Sequence, residues 1–210
     1  MLCFEPNYHA KPWGGRRLEH FFDRELPPGP IGESWELVAF GGESSRVAQG
    51  PLKGETLHRL WQSGSLSQSR TELFPLLLKW LDVHAPLSVQ VHPDENAVKK
   101  LGHGNPKAEA WFVAHAEPNA FIHIGHHQKL DPTLLLESAR DGSIPSWIHK
   151  IHPQTGDLIY VQPGVLHAIG EGLLLLEVQQ PSDSTFRIYD WDRVGLDGKK
   201  RPLHLDEALV

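Results

Sequence analysis

The chain has 210 residues, and 20 Lys and Arg against 26 Asp and Glu give it a formal charge of −6 at pH 7. This balance excludes the strongly basic surface that binds a nucleic-acid backbone. Apolar runs such as residues 76–78 and 173–176 fall far short of the roughly 20 residues that cross a bilayer. We therefore expect neither a nucleic-acid partner nor a membrane partner.

The N-terminal segment and the cysteine content both indicate a cytoplasmic protein. No apolar stretch follows a basic start in residues 1–15, so no secretory signal is predicted. Cys3 is the single cysteine of the sequence and cannot form an internal disulfide, which fits a reducing compartment.

Glycine and proline dominate the local structure that the sequence predicts. Nineteen Gly and 17 Pro are spread along the whole chain, a pattern typical of many short strands separated by turns. The predicted strands cover residues 34–40, 87–92, 110–114, 120–125, 157–161, 173–179 and 185–191. Because no internal repeat or linker divides them, we expect an all-β sandwich or barrel forming a single domain over residues 1–210.

Three segments depart from the strand pattern and are predicted to be short helices, at residues 55–62, 95–101 and 131–140. The third is the clearest. Asp131 is a good N-cap, Pro132 suits the first helical position, and Gly142 follows the helix end. We interpret these helices as additions to a β core.

The first segment with chemical interest is the predicted strand at 87–92. Alternation places Ser88, Gln90 and His92 on one face of this strand. From this segment alone the ordinary interpretation is a half-buried strand whose polar side chains face water.

A second segment changes that interpretation. Residues 156–167 read as Gly-Asp, a strand, a Pro-Gly turn and then His167. This order resembles the second signature motif of the cupins, whose small jelly-roll barrels hold a metal among inward-facing histidines. The first cupin motif usually supplies His-x-His and a later Glu, and the matching residues here are Gln90, His92 and Glu109.

Glutamine in place of the first histidine narrows the resemblance to one cupin branch, and the chain is identified as a member of the type I phosphomannose isomerases. The matching segments extend over nearly the whole sequence, at residues 11–15, 32–36, 87–94, 107–111, 167–168 and 177–193. The larger members continue past the segment that matches residues 202–208 into a second β domain. The resemblance therefore implies a short form that lacks this C-terminal domain.

The resemblance implies a zinc site, with one ion per chain, whose ligands are Gln90, His92, Glu109 and His167. Two imidazoles, one carboxylate and one amide oxygen form a nitrogen and oxygen donor set that suits Zn²⁺. The single cysteine has no part in it.

The resemblance also assigns catalytic and substrate-binding roles. Arg187 matches the arginine that stabilises an enediolate, and Glu177 matches a position proposed as the proton-transferring base. From the residues alone, these two would be read as a surface ion pair on adjacent strands joined by a turn at 181–183. Lys107 and Ser88 match positions that contact the sugar phosphate or the transferred protons, and the alternative is a solvated lysine and an ordinary strand serine.

One departure from the family limits the mechanism. Some members carry a histidine directly before the lysine that matches Lys107, whereas this chain has Pro106. A mechanism that depends on that histidine therefore fails here.

The function implied is a zinc-dependent aldose–ketose isomerase that interconverts mannose 6-phosphate and fructose 6-phosphate. One alternative is a cupin that binds a sugar phosphate without converting it, and such a module would not need a base. The other is an iron-dependent cupin dioxygenase, which Gln90 disfavours because those sites prefer a facial triad of imidazoles and a carboxylate. The His-rich segment at 123–127 is predicted to be a surface strand end.

Overall fold

Antiparallel strands make up most of this computed structural model, which describes residues 1–66, 72–128 and 131–210. The strands are β1 (Asn7–Gly15), β2 (Ile31–Leu37), β3 (Ala39–Phe40), β4 (Glu43–Ser44), β5 (Leu77–Val83), β6 (Val89–Val91), β7 (Glu109–Ala116), β8 (Ile122–His126), β9 (Ile148–Ile151), β10 (Leu158–Val161), β11 (His167–Ile169), β12 (Leu173–Gln179) and β13 (Phe186–Tyr189). The helices are α1 (Arg17–Phe22), α2 (Leu57–Gln62), α3 (Glu95–Leu101) and α4 (Pro132–Asp141), with 3-10 turns at Ile144–Trp147 and Glu207–Leu209.

The strands form two main sheets. One has six strands in the order β1-β2-β5-β12-β7-β10, and the other has five in the order β13-β6-β11-β8-β9. A small hairpin, β3-β4, stands apart from both. The predicted all-β class is confirmed, but neither main sheet closes on itself among the described residues, so closure into a barrel is not observed.

The three predicted helical segments contain helices α2, α3 and α4. In α4 the Asp131 carboxylate accepts a hydrogen bond from the Leu134 amide at 2.8 Å, and Gly142 ends the helix with φ of 78°. Helix α1 and strands β1, β4, β5, β9 and β11 were not predicted. In the part of the chain that the structure describes, no helix has the length and apolar character needed to cross a bilayer.

The main hydrophobic core lies between the two sheets. Trp111 and Leu175, from the six-stranded sheet, pack there with Ile122 and Ile169, from the five-stranded sheet, and all four are almost inaccessible to solvent. Two smaller clusters cover the outer faces. Helix α1 packs through Leu18 on the six-stranded sheet, and helix α4 packs through its apolar residues on the five-stranded sheet.

The inner face of β12 changes from apolar to polar along its length. Leu173 and Leu175 belong to the inter-sheet core, whereas Glu177 and Gln179, next on the same face, are buried polar residues. On the neighbouring strands, Lys79 of β5 lies opposite Glu177, and Glu109 of β7 lies opposite Gln179. One end of the space between the sheets is therefore filled by hydrophobic packing, and the other end holds charged side chains.

The expectation that Glu177 and Arg187 lie on adjacent strands is wrong. Glu177 is on β12 in the six-stranded sheet, and Arg187 is on β13 in the five-stranded sheet. The connection crosses from one sheet to the other instead of turning back as a hairpin. It is held by the Gln179 side-chain amide, which donates to the Ser182 carbonyl at 2.6 Å, and by the Ser182 hydroxyl, which donates to the Asn105 carbonyl at 3.0 Å.

We predict that Leu175→Ala destabilises the fold strongly, by about 2–5 kcal/mol, because it leaves a cavity in the inter-sheet core. Chemical denaturation would measure the loss. Leu158→Ala is the matched control, since Leu158 is 72% exposed and its truncation should change the unfolding free energy by less than about 0.5 kcal/mol. Equal effects in both variants would contradict this assignment of the core.

Candidate active site

Strand register brings the predicted site residues together. Gln90 on β6 lies directly opposite His167 on β11 and, on its other side, opposite Arg187 on β13. His92 follows β6, and Glu109 begins β7 in the facing sheet. Residues that are far apart in sequence therefore meet between the two sheets.

His92, Glu109 and His167 form a buried cluster that can hold a metal ion. Their candidate ligand atoms all lie within 4.8 Å of one another. The His92 Nε2 atom is 3.1 Å from Glu109 Oε2, and the His167 Nε2 atom is 3.4 Å from Glu109 Oε1. Each imidazole donates its Nδ1 proton to a backbone carbonyl, His92 to Ser184 at 3.0 Å and His167 to Val165 at 2.8 Å.

These hydrogen bonds orient the histidines as metal ligands. Because both Nδ1 atoms carry the proton, both Nε2 lone pairs point toward the Glu109 carboxylate. The Oε2 atom of Glu109 is fully buried and accepts no hydrogen bond of acceptable geometry. Two lone pairs and a carboxylate facing one another need a cation between them, so the donor set fits a divalent metal.

The protonation states of the two histidines and of Glu109 also favour metal binding. Burial and then the nearby Lys107 charge lower the pKa of His92 to about 4, and burial also lowers the pKa of His167. Burial alone raises the pKa of Glu109, but the nearby Lys107 charge is the main cause that lowers it, and this pKa lies well below its ordinary range. At neutral pH the cluster therefore has two neutral imidazoles and an ionised carboxylate, as metal binding requires.

Gln90, the fourth predicted ligand, lies beside the cluster. Its side-chain amide donates to His167 Nε2 at 3.2 Å, and its Oε1 atom accepts a hydrogen bond from the Ser88 hydroxyl at 3.1 Å. A half-turn of the amide would exchange the oxygen and the nitrogen. The amide oxygen is therefore within reach of the cluster, with Ser88 as its neighbour.

Lys107 lies between the cluster and solvent. Its ammonium is 2.8 Å from Glu109 Oε2 and 3.1 Å from His92 Nε2, and the residue is only 4% exposed. The prediction that Ser88 belongs to a strand is wrong, because β6 begins at Val89. Lys107 also lies outside a strand, since β7 begins at Glu109.

A cavity of about 230 Å³ opens in front of these residues. Its wall includes five of the eight predicted site residues. They are Ser88, Gln90, Lys107, Glu177 and Arg187. The two histidines and Glu109 lie behind Lys107 and Gln90, deeper in the protein.

Glu177 belongs to a buried charge network that the sequence did not predict. Its Oε1 atom is 3.1 Å from the Lys79 ammonium and accepts no hydrogen bond of acceptable geometry, while its Oε2 atom accepts one from the Trp111 indole at 2.9 Å. Lys79 is also 3.7 Å from Glu33, which in turn contacts Lys11 at 3.2 Å. Burial lowers the pKa of Lys79, but Glu177 and Glu33 outweigh it and raise this pKa.

The signal that could have revealed this network is a charged residue inside an otherwise apolar strand. Lys79 interrupts β5, which reads Leu-Leu-Lys-Trp-Leu-Asp-Val. A buried ammonium needs a carboxylate partner. The sequence offers no indication of which strand supplies it.

Arg187 occupies a different wall of the cavity. It donates to the Pro202 carbonyl at 3.0 Å, and its Nε atom is buried without a hydrogen-bond partner. The surface ion pair with Glu177 that the residues alone suggested is not present, because no salt bridge joins them among the described residues.

The histidine-rich segment is only partly as predicted. His126 and His127 are exposed, but His123 is 7% exposed and packs edge-on against Phe121. Ile122 lies in the core, and His123 is not left in solvent, because the Phe121 ring packs against its imidazole.

Comparison with known proteins identifies the family. A family model described as the catalytic domain of type I phosphomannose isomerase matches residues 1–108. The chain belongs to the type I phosphomannose isomerase family. As a member of this family the chain is an isomerase, which confirms the resemblance found in the sequence.

Two curated relatives extend the match to the remaining residues. The probable mannose-6-phosphate isomerase GmuF of Bacillus subtilis is 36% identical over 99% of this chain and 67% of its own length. The mannose-6-phosphate isomerase of Streptococcus mutans is 39% identical over 99% of this chain and 66% of its own length. The chain thus spans about two thirds of the length of these relatives.

Solved structures support the fold. The mannose 6-phosphate isomerase of Bacillus subtilis superposes with a TM-score of 0.90 at 36% identity, covering 99% of this chain and 67% of that one. A putative mannosephosphate isomerase from Archaeoglobus fulgidus gives a TM-score of 0.70 at 25% identity, covering 96% of this chain and 69% of that one.

We predict that His92→Ala and His167→Ala each lose most of the divalent metal that the protein binds, because each removes an oriented Nε2 ligand. Metal content after dialysis, measured by elemental analysis, tests this. His126→Ala is the control, because His126 is exposed on β8 and should keep full occupancy. Equal occupancy in all three variants would rule out the cluster as the metal site.

Proposed function

We propose that this chain is a zinc-dependent mannose-6-phosphate isomerase that forms fructose 6-phosphate through an enediolate. The single observation that carries the proposal is the convergence of two imidazole lone pairs on the Glu109 carboxylate, directly behind a cavity lined by catalytic-type side chains. We also propose that the two sheets form the jelly-roll barrel of a cupin, in agreement with the family.

Gln90, His92, Glu109 and His167 would hold the zinc ion. When bound, zinc supplies Lewis-acid polarisation of sugar oxygens and stabilises negative charge. The deep burial of the three ionisable ligands favours a tight site. This donor set also disfavours an iron-dependent dioxygenase, since Gln90 replaces one of the imidazoles that such sites prefer.

Glu177 is the proposed base. Aldose–ketose conversion needs a group that removes the proton from C2 and returns it to C1. Glu177 lines the cavity, and its Oε1 atom has the Lys79 ammonium at 3.1 Å but accepts no hydrogen bond of acceptable geometry. Lys79 and Trp111 hold the carboxylate in one orientation, as an effective base requires.

Lys107 and Arg187 provide positive charge near the reacting carbons. The enediolate is negatively charged, and fixed cations in a site screened from water stabilise such charge effectively. Arg187 reaches the cavity from one sheet and Glu177 from the other, so the substrate would lie between them. Ser88 offers a hydroxyl that hydrogen-bonds Gln90 and can also face the sugar.

An anionic sugar suits the charge of the cavity. Among the residues that the structure describes, five basic side chains and three carboxylates line it. This excess of positive charge favours a phosphosugar over a neutral sugar.

The test is a coupled assay for fructose 6-phosphate formed from mannose 6-phosphate, run with and without a chelator. We expect activity that the chelator abolishes and that added Zn²⁺ restores. Mannose should react much more slowly, because it lacks the phosphate. Binding of mannose 6-phosphate without any turnover would instead support the alternative, a sugar-phosphate-binding module.

We predict that Arg187→Ala lowers kcat by about 100-fold or more, by comparison with the loss of one oxyanion donor. KM and zinc content should change little, because the charge it stabilises arises in the transition state. Steady-state kinetics and elemental analysis measure both. Near-normal turnover in this variant would remove Arg187 from the mechanism.

The proposed proton transfer also has an isotopic signature. Product formed in D₂O should carry solvent deuterium at C1, because a carboxylate such as Glu177 exchanges its proton with the solvent. A hydride shift would leave that carbon unlabelled. NMR of the product distinguishes the two, and consistently unlabelled product would contradict the enediolate route.

A further inference from the structure

Beside one wall of the cavity, Arg193 and Arg201 share the carboxylate of Asp190. Asp190 is 6% exposed and accepts hydrogen bonds from Arg193 at 2.8 Å and from Arg201 at 2.8 Å. Arg187 lies beside them, since its guanidinium donates to the Pro202 carbonyl, next in sequence to Arg201. Burial and then the Arg201 charge lower the pKa of Arg187, as expected for guanidinium groups held close together.

The other basic residues of the cavity have carboxylate partners in similar number. Lys11 and Lys79 are paired with Glu33 and Glu177, and Lys107 is paired with Glu109. The arginine wall is different. Two arginines, Arg187 and Arg201, and one carboxylate, the exposed Asp183, line this side of the cavity.

This wall also has an unused donor. The buried Nε atom of Arg187 has no hydrogen-bond partner, and Arg187 forms no salt bridge within the part of the chain that the structure describes. Arg201 and Arg187 both line the cavity, whereas Arg193 does not. Arg187 and Arg201 therefore bring two guanidinium groups to the space that the substrate would enter.

We propose that Arg201 is a phosphate-binding residue, which holds the phosphate monoester of the substrate against this wall. The inference rests on the proposed function for its substrate class and adds the residue that recognises the phosphate. Asp190 holds the Arg201 guanidinium in place through one edge, at Nε and one Nη atom, so the remaining N–H groups are available to an anion. Guanidinium groups match phosphate oxygens in both geometry and charge.

This arrangement separates binding from chemistry within the cavity. Arg187 stabilises the charge that develops at C1 and C2, and Arg201 binds the phosphate at the other end of the sugar. A phosphate fixed at that end sets the distance from the reacting carbons to Glu177. Arg201 should therefore affect substrate affinity far more than the rate of the bound complex.

The experiment compares Arg201→Met with Lys200→Met. Lys200 is the matched control, because it is the preceding residue, carries the same charge and points into solvent, where it pairs with Asp192. In Arg201→Met we expect KM for mannose 6-phosphate and the inhibition constant of inorganic phosphate to rise in parallel, each by about 10-fold or more, as for the loss of a charged hydrogen bond. The value of kcat should change by less than about 3-fold.

A second variant separates phosphate binding from the structural role of Asp190. Arg193→Met also removes a partner of Asp190, but outside the cavity, so it should lower the thermal midpoint without raising KM. If Arg193→Met or Lys200→Met raises KM as much as Arg201→Met does, the rise in KM reflects a structural change or the loss of long-range electrostatic attraction. That result would overturn the proposal. A fall in kcat with unchanged KM in Arg201→Met would overturn it as well.

Calorimetry with inorganic phosphate, without turnover, makes the inference independent of the catalytic proposal. Wild-type protein should bind phosphate, and Arg201→Met should bind it at least about 10-fold more weakly. If the wild type binds phosphate in this way but lacks isomerase activity, the proposed function fails and the subsite stands. If it isomerises mannose 6-phosphate and Arg201→Met binds phosphate normally, the subsite fails and the function stands.

Discussion

The buried carboxylate of Glu109 is the constraint on which the rest of the site depends. A carboxylate with 2% exposure is strongly disfavoured unless cations and hydrogen-bond donors surround it. Lys107 supplies one charge at 2.8 Å, and the two histidine lone pairs supply none. The cluster can therefore accept a further cation, and the backbone carbonyls that bind both Nδ1 atoms leave the two Nε2 lone pairs free to bind it.

The need to neutralise buried charge also explains how polar side chains are arranged on the inner faces of the sheets. Hydrophobic packing fills one end of the space between them, and charges that neutralise one another across neighbouring strands fill the other end. Lys79 contacts carboxylates from β2 and β12 at once, which ties three strands together at the cavity wall. The paired charges at the cavity wall therefore also hold neighbouring strands in position.

Much of the site followed from the sequence. Alternation placed Ser88, Gln90 and His92 on one face, and the Pro-Gly turn marked His167, because these patterns are local and the backbone geometry of a strand enforces them. The capping residues of α4 were equally readable. The resemblance then joined Glu109, Lys107, Glu177 and Arg187 to that set, and the structure brings Glu109 and Lys107 into contact with His92.

The sequence by itself determined the β class, the family and the residue types that meet at the site. Only the tertiary structure decided that Glu177 and Arg187 line one cavity from different sheets, that Lys79 is shared by Glu33 and Glu177, and that Arg187 and Arg201 lie in the same cavity lining. These arrangements depend on which strands pair and in what register. Strand pairing is set by packing between segments that are distant in sequence, which no local pattern records.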